Sequence, residues 1–190
     1  MAWCAVQNDA ECHPIHLLNP DMDIRPIHPD DLELICRHRE AMFLEAGFAP
    51  DTLRTMTRHF REWLRPRLAD DTYFGLLALD GGRPVAGIGL MLIDWPPHPA
   101  HPEQDKRGYI LNVYVEPTHR RRGLARQLMS LGEDALARRG ATFTILHATQ
   151  AGQPLYQQEG WRQTSEMSKV IAAPVPAAGG GNPPSGPSGT

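Results

Sequence analysis

The chain has 190 residues, 41% hydrophobic and 22% charged, with a formal net charge of -3. That is enough chain for one core of ordinary domain size, and the near-neutral balance argues against bulk nucleic-acid binding, which shows itself as a strongly basic domain. No apolar run approaches the ~20 residues of a membrane helix, and the first twenty residues lack the basic start and long apolar stretch of a signal peptide, so a cytoplasmic protein without a membrane partner is expected.

In chain order, residues 1–20 hold Trp3, Ile15, Leu17 and Leu18 without a clear period; this arm either lies loose or adds a strand. Residues 21–172 carry the domain, and 173–190 are so rich in Pro, Gly and Ala that disorder is expected there. Ile24 to Ile27 reads as a short strand. Pro29-Asp30-Asp31 then opens a helix with Leu32, Ile35, Met42 and Phe43 inward and its acidic residues at the positive end of the dipole. Asp51 caps a second helix with the stripe Leu53, Met56, Phe60, Trp63 and Leu64, and Pro66 is expected to kink or end it. Strands at Tyr73–Leu79 and Val85–Leu92 flank the hairpin turn Asp80-Gly81-Gly82-Arg83. A long proline-stiffened loop from Asp94 to Gly108 precedes a strand at Tyr109–Val115, stopped by Glu116-Pro117. From Leu124 a helix places Leu124, Leu128, Leu131 and Ala135 inward; a strand at Thr142–Thr149, a short helix from Pro154 and a last strand at Trp161–Ile171 follow. The class is α/β: a mixed sheet flanked by helices.

The chemistry concentrates where the strand ending at Val115 gives way to the helix at Leu124. A helix start leaves its first amides without intrahelical partners and adds the positive end of its dipole, so anions dock there. Arg120-Arg121-Arg122-Gly123-Leu124-Ala125 supplies attracting charge and, at Gly123, a backbone that a phosphate can approach closely. From the residues alone, a solvated basic helix start fits the same hexad. It is not a P-loop, having neither the first glycine nor the lysine-hydroxyl pair. Nor do Cys4, Cys12, His13 and His16, or His98 and His101, show a familiar zinc spacing, so no metal is expected, and Cys4, Cys12 and Cys36 read as free thiols.

Two segments in order, Asn112-Val113-Tyr114-Val115-Glu116-Pro117-Thr118-His119-Arg120-Arg121-Arg122-Gly123-Leu124-Ala125 and Leu155-Tyr156-Gln157-Gln158-Glu159-Gly160-Trp161, resemble the GNAT superfamily of N-acetyltransferases. The likeness extends more loosely from Met22 to Ile171. It implies a central mixed sheet whose parallel strands, here Tyr109–Val115 and Thr142–Thr149, splay apart around the pantetheine arm of acetyl-CoA. It also implies a cofactor-binding set of Val113, Val115, Arg120, Arg121, Arg122, Gly123, Leu124, Ala125, Arg126 and Tyr156. In that set the main chain of Val113 and Val115 holds pantetheine and acyl carbonyl, while the amides of Arg121 to Arg126 grip the pyrophosphate. Pairing into a homodimer through the late strands is a further implication.

Tyr156 matches the tyrosine that, by this resemblance, acts as general acid toward the coenzyme thiolate. A phenol suits that task, because its pKa of about 10 keeps it protonated at neutral pH. On local sequence alone, a tyrosine packing its ring under the last strand with its hydroxyl in water is the favoured reading, and the resemblance reverses that preference. Many members carry a glutamate base near the start of the central strand, where Tyr109 stands here. Asp105 and Glu103 in the preceding loop, His147 on the neighbouring strand and Glu116 at the strand end are the remaining candidates, and a water chain is an alternative to all four. Strand alternation predicts Tyr109, Leu111, Val113 and Val115 on one face, with Asn112 and Tyr114 on the other. The expected activity is direct acetyl transfer to a primary amine, small-molecule or peptide, in a ternary complex. A coenzyme A sensor without transfer activity and a basic binding module without cofactor are the alternatives.

Overall fold

The computed structural model describes residues 22–150, 152–164 and 166–169. The expected N-terminal arm, the Pro/Gly-rich tail and the end of the last predicted strand lie outside the described residues. Five strands form one sheet in the order of the chain: β1 (Met22–Pro26), β2 (Phe74–Asp80), β3 (Arg83–Asp94), β4 (Lys106–Val115) and β5 (Thr144–Leu146). The first three neighbouring pairs are antiparallel, whereas β4 and β5 run parallel, as their connection through a helix requires. Helices α1 (Leu32–Glu45) and α2 (Pro50–Ala69) lie between β1 and β2 in sequence, α3 (Leu124–Arg138) between β4 and β5, and the short α4 (Gln153–Gln158) after β5.

The sheet is covered on both faces, which is why β3 is buried without a break from Val85 to Leu90. One face packs Ile35, Cys36, Phe60, Leu64 and Leu68 of α1 and α2 around the ring of Tyr73. On the other, Leu124, Leu128, Met129 and Leu136 of α3 pack against Ala86, Ile88, Leu90 and Ile110. The expected α3 stripe is thus only half kept: Leu131 and Ala135 are half-buried, and Met129 and Leu136 take their place. Leu128 has no exposed surface. Leu128→Ala is expected to cost about 2–5 kcal/mol by transfer and cavity terms together, read as a lower urea midpoint at unchanged slope.

Four elements depart from expectation. Helix α2 runs through Pro66 to Ala69, because Pro66 sits on the exposed side while Leu64 and Leu68 hold both sides of it in the core. Arg67 stacks 4.1 Å from the Trp63 ring and donates to the Trp63 carbonyl at 2.7 Å, tying that last turn down. Strand β5 is three residues rather than eight, and residues 161–164 and 166–169 form no strand. Trp161 is turned away by the end of α4, where its amide reaches the Tyr156 carbonyl at 2.9 Å and the Gly160 amide reaches that of Gln157 at 3.2 Å. That pair of bonds, with Gly160 at φ +84°, is a Schellman cap, and the accompanying apolar contact is Tyr156 against Trp161.

Strand β4 breaks the alternation predicted for it. Asn112 has φ +55°, and the ladder to β3 slips between Gly87 and Gly89, so Asn112 and Val113 together oppose Ile88 in a bulge. Leu111 and Asn112 consequently share the α1/α2 face. Leu111 joins the Tyr73 cluster, Asn112 donates to the Tyr73 hydroxyl at 2.9 Å and accepts from Arg39 at 2.6 Å, and Tyr114 meets the ring of His38. Val113 and Val115 point to the α3 side with Ile110. Room for the Tyr73 hydroxyl comes from Gly89, where a Cβ would stand 2.0 Å from it.

Candidate active site

The proposed anion cradle starts at a turn over Pro117–His119 and ends in the first turn of α3. Two residues there are left-handed, Arg121 at φ +62° and Gly123 at φ +78°, so the backbone curls ahead of the helix. Gly123 caps α3 without a side-chain hydrogen bond, and the first helical bond is Gln127 N–H to Gly123 O at 3.0 Å. Among the described residues the amides of Arg121, Gly123, Leu124, Ala125 and Arg126 meet no protein acceptor. One turn in, the buried Gln127 presents an Oε1 with no hydrogen-bond partner. A row of unmet N–H donors at the positive end of a fifteen-residue helix, with a buried acceptor behind it, fits a diphosphate carrying an amide-containing arm.

The arginines divide their work. Arg120 donates through Nε to the Val115 carbonyl at 2.9 Å and pairs with Glu45 of α1 at 2.7 and 2.8 Å, so its guanidinium is committed to the α1 side. Arg126 donates to Glu159 at 2.6 Å and clips α4 onto the start of α3. His119 bonds Asp80 at 3.1 Å, anchoring the cradle to the β2–β3 hairpin. Arg121 and Arg122 are exposed.

Beside the cradle the sheet opens. Strands β4 and β5 pair only over Gly108–Ile110 and Thr144–Leu146; from Leu111 onward that edge of β4 has no ladder partner among the described residues. The parallel strands therefore part where the resemblance implies, with Val113 and Val115 on the opened length. Tyr156, on the α4 that Arg126 holds, packs against the α3-face core, and burial raises its hydroxyl pKa, keeping it protonated. A cavity of about 340 Å³ lies between β5, α4 and the following segment, lined among others by Tyr156, His147, Trp161 and Glu166. None of residues 113–126 lines it.

The base candidates scatter. Glu103 and Asp105 are exposed, and among the described residues their carboxylates make no hydrogen bond or ion pair. They sit at the start of β4, where Gln104 fastens the loop to Gly140 and Thr142, roughly 30 Å along a ten-residue strand from the cradle. Glu116 faces the buried His38 at 3.7 Å, and burial lowers the imidazole pKa against the pull of that carboxylate. His147, by contrast, lies where β4 and β5 separate: the Tyr109 Oη stands 2.9 Å from its Nδ1, and Glu166 is 3.1 Å from its Nε2. Sequence reading did not single out Glu166, nor the buried Tyr73–Asn112–Arg39 chain, though an asparagine inside an apolar strand was the visible sign of the bulge. Of the histidines weighed for metal, His101 is buried with Nε2 accepting from Arg107 at 2.8 Å. Cys4, Cys12, His13 and His16 lie outside the described residues.

A sheet that opens beside a helix start whose amides are unmet among the described residues suits the class of proteins that lay a phosphate-bearing cosubstrate along a strand edge. Residues 35–161 match the Acetyltransferase (GNAT) family, and the chain belongs to it. A GCN5-related N-acetyltransferase from Ralstonia eutropha JMP134 is 60% identical over 80% of this chain and 99% of its own, with a TM-score of 0.79. A predicted acetyltransferase from Clostridium acetobutylicum, solved with acetyl-CoA, is 26% identical over 79% of this chain and 96% of its own, with a TM-score of 0.68. An aminoglycoside acetyltransferase from an uncultured soil sample, 24% identical over 80% and 99% with a TM-score of 0.58, shares the fold. No curated protein matches the chain.

Proposed function

We propose that this protein transfers an acetyl group from acetyl-CoA directly to a primary amine in a ternary complex. Membership of the family supports acetyl-CoA-dependent acyl transfer in general. The observation that carries the finer reading is the row of amides of Arg121, Gly123, Leu124, Ala125 and Arg126, unmet among the described residues, at the mouth of the β4/β5 opening. Acetyl-CoA, when bound, supplies an activated thioester carbonyl. The chain's part is to hold it by those amides, to align it along the opened edge at Val113 and Val115, and to keep a proton on Tyr156 for the departing sulfur. The Clostridium structure holding acetyl-CoA supports the choice of cosubstrate. The acceptor is a small-molecule or peptide amine.

Acetyl-CoA is expected to raise the melting temperature of the purified protein, since a ligand that binds only the native state stabilises it by mass action. Thiol release with a panel holding a polyamine, an aminoglycoside and a lysine-containing peptide then tests transfer. A thermal shift with no thiol release from any amine would return the protein to a coenzyme A sensor, and no shift at all would remove the cofactor.

A further inference from the structure

Tyr109, His147 and Glu166 come from β4, β5 and the segment after α4, separated by 38 and 19 residues in the chain, yet they form one hydrogen-bonded line. The Tyr109 ring meets the imidazole edge-on, with centroids 5.6 Å apart and planes at 90°. Tyr109 pairs with Ile145 in the next-to-last rung of the β4/β5 ladder, so its hydroxyl stands where the strands part. Two residues on, Leu111 packs into the α1/α2 cluster, so alternation puts Tyr109 on that face, within the electrostatic reach of Arg39. Tyr156 packs against the cluster on the α3 face. Tyr109 and the proposed acid therefore stand on opposite faces of the sheet, while His147 and Glu166 share the cavity beside β5 with Tyr156.

Building on the acetyltransferase reading, we infer that Tyr109, His147 and Glu166 form the proton relay that deprotonates the acceptor amine. Tyr109 is the catalytic group, and His147 and Glu166 act through it. With the phenol O–H donating to Nδ1, the imidazole carries its proton on Nε2 and gives that hydrogen bond to the Glu166 carboxylate, which fixes the tautomer. The ammonium of the acceptor passes one proton to Tyr109 Oη as the Tyr109 proton moves to Nδ1, leaving an imidazolium against Glu166. The amine lone pair forms the C–N bond and the C–S bond breaks with its electron pair on sulfur. Sulfur takes the Tyr156 proton, the acylated nitrogen gives its second proton to the Tyr156 phenolate through water, and the imidazolium releases the first proton to solvent.

The environment suits a conduit rather than a standing phenolate. Burial raises the Tyr109 pKa, with the Arg39 charge opposing and Glu166 adding to the rise, so the hydroxyl is neutral and holds a proton to hand on. His147 and Glu166 are more than half exposed, side chains 64% and 54%, so the proton taken from the amine has a direct exit to water. A pairing that merely fastened the C-terminal segment to β5 would need none of this order.

The experiment reads tautomer and turnover in the full chain. Long-range proton–nitrogen correlation of 15N-histidine-labelled protein should show His147 protonated on Nε2, and Glu166→Gln should mix the two tautomers. Finding His147 with its proton on Nδ1 would overturn the relay. With any amine acetylated by the wild type, Tyr109→Phe and His147→Ala should each lower kcat by about 10²-fold while acetyl-CoA still raises the melting temperature. Free imidazole should restore much of the His147→Ala loss through the exposed site. Full activity in Tyr109→Phe, or a His147→Ala defect that imidazole leaves untouched, would sink the relay while leaving acetyl transfer standing. Wild-type protein that releases no thiol with any amine would overturn the acetyltransferase reading itself.

Discussion

Tyr156→Phe is expected to slow acetyl transfer by about 10²-fold or more with cofactor affinity nearly unchanged. A general acid contributes about 10²–10⁴ in rate through one proton, and a phenylalanine keeps the ring while removing that proton. The structure explains why the ring survives the change. Tyr156 is the apolar partner of Trp161 in the Schellman cap of α4, so packing at 6.3 Å between centroids persists in the variant. Its hydroxyl makes no side-chain hydrogen bond among the described residues, so folding loses little when it goes. The kinetic signature is a fall in kcat with the dissociation constant of coenzyme A held. Turnover equal to wild type would assign the tyrosine to packing alone.

Gly123→Val is expected to weaken coenzyme A binding by about tenfold or more, equivalent to at least about 1.4 kcal/mol. Gly123 stands at φ +78°, a region closed to β-branched residues, so valine must rotate the backbone that aims the first amides of α3. Arg121, two residues earlier, is already a non-glycine residue in the left-handed region, so valine would add a second such residue to the same turn. The loss should appear in calorimetry as weaker CoA binding, and Gly123→Ala should fall between the two. A dissociation constant unmoved by valine would mean that the anion sits elsewhere.

Both predictions rest on local chain geometry, which is the part a sequence states well. The apolar strand ending at Pro117, the Arg-Arg-Arg-Gly turn and the period from Leu124 are near-neighbour features, and they mark the cradle. The Tyr-x-x-x-Gly-Trp segment is equally local: tyrosine three places before the cap, glycine past it and an aromatic after that make up one helix ending. The same logic misplaced the last strand, because the cap that turns Trp161 back toward α4 and Glu133 was not recognised as a stop.

What needed the fold is everything set by pairing at long range. The five-stranded order, and a β5 that leaves β4 after three rungs, depend on how α3 returns the chain across the sheet. The bulge at Asn112 follows from a buried partnership with Tyr73 and Arg39, 39 and 73 residues away, and it moved Leu111 to the opposite face from Val113. Arg120 stands among the cradle arginines by its neighbours in sequence, and its pairing with Glu45, 75 residues distant, is visible only in the fold. Residue spacing and backbone preference thus determined by themselves that a basic, glycine-led helix start and a short tyrosine-bearing helix exist in this chain. Which faces, partners and protons meet at the opening between β4 and β5 was decided only by tertiary structure, because hydrogen bonds between side chains remote in sequence have no periodic signature.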